Sequence, residues 1–125
     1  MAPANPPRRG EIYWVDWDPA RGSEQAGLRP ALVVSPTARN KIMRTVVVAA
    51  LTRSVRDDTR NGRSPVTVFL PAGQPLRDEG SVLCFQILTA SDSRLQEYAG
   101  RLTDEQMQAV DRAIAVAFGL RPDQY

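Results

Sequence analysis

The chain has 125 residues and a mass of 13.8 kDa, enough for one compact core and too few for two ordinary domains. With no histidine and a single cysteine, Cys84, it cannot assemble the usual zinc ligand sets from one chain, run histidine acid–base catalysis or close an internal disulfide. Its net charge of +2 is unevenly laid out: Arg29 to Arg63 carries eight basic residues against two acidic ones, a local balance of +6 that suits a polyanion-facing surface, for nucleic acid or an acidic protein.

In chain order, residues 1–8 read as a flexible tail rich in proline. No apolar segment follows the basic pair Arg8 and Arg9, so a secretory signal is not expected. Short apolar runs rich in Val, Ile and aromatics, bounded by turn formers, predict strands at Glu11 to Trp17, Ala31 to Ser35, Thr45 to Leu51, Val66 to Leu70 and Ser81 to Leu88. Between them, Pro36 to Arg44 has room for at most a short helix, while Arg53 to Pro65 is polar and carries Asn61-Gly62. Neither connection looks like a helical crossover between parallel strands, so a mostly antiparallel, strongly curved sheet is expected. One segment reads clearly as a helix, over 103–118: Thr103 as N-cap, Gln106 completing a capping box, apolar residues from Met107 to Phe118 at helical spacing, and Gly119 as the stop. The fold class is α+β, a small barrel with a C-terminal helix, in one domain over 9–119 with a second tail at 120–125. No apolar stretch approaches the roughly 20 residues that a membrane span needs.

The densest polar cluster is the stretch from Asp16 to Pro30, a loop longer than a hairpin requires and therefore a candidate for function. It carries Glu24 and ends on Arg29, which the next strand would hold in place. A strand-end arginine suits a phosphate clamp through its planar fork of donors, although spacing alone favours a surface ion pair between Glu24 and Arg29. Asp16 and Asp18 share a strand face but offer too few oxygen ligands for a hard cation. Thr52 and Ser54 are hydroxyls at a strand end beside Arg53. Cys84 falls within an apolar strand and reads as core, and Trp14, Trp17 and Phe85 read as core fillers with the capacity to stack on bases.

Two stretches of this sequence, Gly10-Glu11-Ile12-Tyr13-Trp14-Val15-Asp16-Trp17-Asp18-Pro19 and Gly22-Ser23-Glu24-Gln25-Ala26-Gly27-Leu28-Arg29-Pro30-Ala31-Leu32-Val33-Val34-Ser35-Pro36, closely resemble the N-terminal signature of the MazF/PemK toxins, endoribonucleases of type II toxin-antitoxin systems. Weaker matches continue at Ala49-Ala50-Leu51-Thr52, at Pro65-Val66-Thr67-Val68 and at Gly80-Ser81-Val82-Leu83 running into Gln86-Ile87, so that the resemblance spans about residues 9 to 119. It implies an SH3-like barrel of the CcdB/PemK type, forming a homodimer whose composite groove binds single-stranded RNA. It also implies a cognate antitoxin, whose acidic, disordered tail would suit the basic stretch, and a cytoplasmic setting. Arg29 matches the family's catalytic arginine, Thr52 its catalytic hydroxyl and Glu24 an acid implicated in some members; Ser23 and Gln86 match RNA-contacting positions, and Arg53 is placed beside them as a further RNA contact. Phe85 departs from the polar or acidic residue common at its position, and the loop from Arg56 to Ser64 differs in length and content, so base preference does not carry over.

Such a site needs neither histidine nor metal, and no cofactor is expected. RNA supplies its own nucleophile, the 2′-OH beside the scissile phosphate. Arg29 would stabilise charge on the phosphate oxygens, Thr52 would hydrogen-bond one of them, and Glu24 would accept the 2′ proton. The competing expectation is a non-catalytic toxin on the same barrel, directed at gyrase as CcdB is, since fold alone does not separate the two.

Overall fold

The computed structural model describes residues 5–17 and 27–120, and the elements run β1 (Glu11–Asp16), β2 (Leu28–Val33), α1 (Thr37–Met43), β3 (Thr45–Thr52), α2 (Asp57–Arg60), β4 (Thr67–Leu70), β5 (Gly80–Ser91), β6 (Leu95–Arg101) and α3 (Asp104–Phe118). The six strands form one antiparallel sheet in the order β4-β5-β3-β2-β1-β6. Among the described residues, β4 and β6 end as separate edges. The expected barrel is therefore a bent, open sheet. Among the described residues, no helix is long and apolar enough to cross a membrane.

A bulge produces the bend. Strand β5 pairs with β3 in two registers, Ala49 opposite Ile87 and then Ala50 opposite Leu83, so Cys84, Phe85 and Gln86 have no partner on β3. Extra residues on one strand of an antiparallel pair turn it sharply and re-aim its side chains. A second irregularity lies in the β1–β6 pairing near Gly100, whose φ of 149° and close approach to the Pro75 ring both require glycine.

Two strand limits differ from the sequence expectation, each for a physical reason. Strand β2 begins at Leu28 and runs through Pro30, because β3 pairs only with Ala31, Leu32 and Val33. On that side residues 28–30 are a local edge, where a proline's missing N–H costs no ladder bond. Strand β6, unforeseen, exposes Gln96, Glu97 and Tyr98 and buries Leu95, so an edge strand carries little apolar signal.

Side chains alternate between two cores. Ile12, Leu32, Leu51, Val82 and Cys84 pack with Met107, Val110 and Ala113 of α3, while Tyr13, Val15, Val33, Val46, Val48 and Leu95 form the other cluster. Helix α3 starts with a capping box in which Thr103 Oγ1 accepts from Gln106 N (3.1 Å) and Gln106 Oε1 accepts from Thr103 N (2.9 Å), and it ends on left-handed Gly119.

The N-terminal segment is tied down earlier than residue 9. Pro7 is fully buried, and buried Asn40 of α1 donates through Nδ2 to the carbonyls of Pro7 (3.0 Å) and Ser35 (3.2 Å), with Ser35 Oγ at 2.6 Å from Asn40 Oδ1. Ser35 Oγ also accepts from Val47 N at 2.9 Å, linking α1 to β3. Replacing Asn40 by alanine leaves these acceptors buried without a donor, and a loss of about 1–3 kcal/mol is expected, read as a lowered urea midpoint with an unchanged m-value.

Candidate functional site

The local edge at 28–30 opens an elongated cleft of about 980 Å³, walled by the ends of β1, β2 and β3 and by the β4–β5 connection. Arg29, Thr52, Arg53 and Gln86 all line it. Arg29 stands on β2 opposite buried Val15 of β1, so its backbone is fixed while its side chain is exposed. Thr52 is the last residue of β3, paired with Ser81, and its Oγ1 accepts from Ser54 N at 3.1 Å, which orients the hydroxyl. A Cβ on Gly80 would come within 2.8 Å of the Thr52 carbonyl oxygen, so glycine is what lets β5 close against the end of β3. Gln86 enters the cleft because it sits on the bulge between the two β5 registers. Ser23 and Glu24 lie outside the described residues.

The cleft has a mixed electrostatic wall. From the β4–β5 connection come Arg77, Asp78 and Glu79, none of them expected from sequence, since a short charged run before a strand gives no pattern to read. Glu79 is clamped by Arg60 of α2 through two contacts of 2.6 Å, and the Arg60 guanidinium lies 5.3 Å from the Phe69 ring centroid. That clamp holds the Glu79 carboxyl below the ordinary carboxylate range. Asp78 is also lowered, by Arg77 first and then Arg53, but through longer contacts of 3.4 and 3.5 Å.

Of the three aromatics expected as core fillers, Trp17 does pack against the core cluster of Tyr13, Val15 and Val33, while Trp14 and Phe85 belong to neither cluster. Trp14 and Trp17 line the cleft, and Phe85, turned outward by the bulge, is 51% exposed. The Trp17 Nε1 is buried with no hydrogen-bond partner among the described residues. Cys84 is fully buried and its thiol is pushed up to about 12 by desolvation, so it is an inert core residue and no nucleophile.

The arrangement places an arginine on a paired strand, an oriented hydroxyl, an amide and two tryptophans along one open groove, which suits an extended, charged, base-bearing chain. A family model described as PemK-like, MazF-like toxin of type II toxin-antitoxin system matches residues 8–118. An endoribonuclease MazF of Staphylococcus saprophyticus is 35% identical over 114 residues, covering 90% of this chain and 92% of that protein. Among solved structures, an endoribonuclease from a mycobacterial species superimposes with a TM-score of 0.74 at 32% identity, over 93% of this chain and 94% of that one. An endoribonuclease in complex with its cognate antitoxin, also mycobacterial, gives 0.75 at 31% identity, over 92% and 97% of the two chains.

Proposed function

The chain belongs to the PemK-like, MazF-like toxins of type II toxin-antitoxin systems and is an endoribonuclease of that family, and from this premise we propose that it cuts single-stranded RNA by attack of the substrate's own 2′-OH, without a metal. The observation that supports this reading most is the convergence of Arg29, Thr52, Arg53 and Gln86, from three separate segments of chain, on one groove. The 2′ oxygen bonds to phosphorus as the P–O5′ bond breaks: Arg29 stabilises the charge that develops on the phosphorus-bound oxygens, Thr52 Oγ1 hydrogen-bonds one of them, Glu24 takes the 2′ proton, and the departing 5′ oxygen takes a proton from water. Arg29 does not serve as the acid, since a guanidinium with a pKa above about 12 seldom releases a proton near neutrality. Ser23, Arg53 and Gln86 hold the strand on either side of the cut. Splayed bases stack on the aromatic wall, which favours a single strand over a duplex.

The same groove is where an antitoxin would act. A relative solved in complex with its cognate antitoxin supports such a partner, and the local charge of +6 between Arg29 and Arg63 supports an acidic, disordered tail that lies where RNA would lie. A homodimer, with a composite groove, is supported by the exposed apolar end of α3 and the residue just past it, where Val116, Phe118 and Leu120 are 56%, 52% and 50% exposed. RNA as the substrate supports action in the cytoplasm. Incubation of the purified chain with a long structured RNA, followed by mapping of the product ends, is expected to give cuts at one short motif in unpaired segments, each with a 5′-OH. RNA recovered intact would overturn the reading.

A further inference from the structure

Two neighbouring acids in the cleft are held in opposite ways. Glu79 is locked, with both carboxylate oxygens taken by Arg60 at 2.6 Å and the guanidinium seated over Phe69. Asp78 is held loosely: a single oxygen, Oδ2, lies 3.5 Å from Arg53 Nη1 and 3.4 Å from Arg77 Nη2. Both arginines are largely solvated, at 81% and 90% side-chain exposure. They come from different connections, Arg53 directly after Thr52 and Arg77 three residues before Gly80. Exposed pairs of such length are weak and readily exchanged.

A carboxylate in a groove for a polyanion needs a reason to be there. Here one of its two oxygens is bridged by two cations that come from different connections, the position that one oxygen of a bound anion would take between them. A backbone phosphate has the same single charge and a pair of oxygens at similar spacing, which the guanidinium fork accepts equally well. Resting on the ribonuclease reading above, we propose that Arg53 and Arg77 form a backbone-phosphate subsite beside Thr52, and that Asp78 fills it as an internal phosphate mimic until RNA displaces it. Arg77 then contributes affinity without sequence preference, and Asp78 sets how much affinity is withheld.

The test is binding of a single-stranded RNA carrying a 2′-deoxy residue at the mapped cut site, titrated over a range of salt. Asp78→Asn is nearly isosteric at an exposed position, so the fold is not at issue. It is expected to tighten binding several-fold at low salt, with the gain shrinking as salt rises. Arg77→Ala should weaken binding and flatten the salt slope by about 0.7, the value for one phosphate contact on a single strand. In an Arg53→Ala, Arg77→Ala background the Asp78→Asn gain should vanish. Weakened binding or a changed cleavage motif in Asp78→Asn would overturn the proposal in favour of base reading, and an undiminished gain without the two arginines would overturn it in favour of a general field effect. An unmodified chain that neither binds nor cuts RNA would overturn the ribonuclease reading and the subsite with it; one that cuts normally while Asp78→Asn binds unchanged overturns the subsite alone.

Discussion

Replacing Arg29 by alanine is expected to slow RNA cleavage by about 10²-fold or more under single-turnover conditions, while the chain remains folded. The size follows from the role proposed for the residue: a cation beside charge that grows only as the phosphorus gains a fifth oxygen, comparable to deleting one oxyanion donor. The folded state should tolerate the change because the Arg29 side chain is exposed and the β2 backbone is held by its pairing with Val15. Affinity for an uncleavable RNA should fall much less than the rate, since Arg29 is one of several cations in the cleft. Arg29→Lys should recover little, because one ammonium cannot reproduce a two-pronged contact with a phosphate. Thr52→Ala should be impaired in the same direction, having lost one oriented donor. A rate for Arg29→Ala within about threefold of the unmodified chain would remove Arg29 from the chemistry.

Much of this was legible in residue order, and what was not has identifiable causes. Strands β1 and β3 announce themselves because both of their faces are buried, so their runs are apolar and β-branched. Helix α3 is legible down to its capping box and its terminal glycine. The β5 bulge leaves no trace in sequence, because Ser81 to Leu88 reads as one unbroken strand whether or not β3 slips register against it. That slip exposes Phe85 and delivers Gln86 to the cleft. Pro30 hid the first half of β2, and the solvated edge hid β6. Arg29, Thr52 and Gln86 were reachable through the family resemblance and Arg53 through its place beside Thr52, and the fold brings them to one groove. The acidic and basic wall from Arg77 to Glu79 was not, since nothing in a charged turn says which way it faces. Glu24 and Ser23 fall outside the described residues, so their places in the site rest on the signature.

The second large effect lies in the substrate. With the 2′-OH as nucleophile, a single 2′-deoxy substitution at the cut site deletes the attacking oxygen and little else, so cleavage there should stop while binding persists. No histidine is available to activate a water in its place, and the described residues contain no cluster of three or more acids, cysteines or histidines suited to a metal-activated hydroxide. The decisive measurement is therefore cleavage of paired oligonucleotides, all-ribose and singly 2′-deoxy, in excess EDTA, with the product ends identified. The all-ribose strand should be cut to a 2′,3′-cyclic phosphate (or its opened form) and a 5′-OH while the 2′-deoxy strand stays intact. Continued cutting of the 2′-deoxy strand, or activity lost in EDTA and restored by Mg²⁺, would contradict the mechanism.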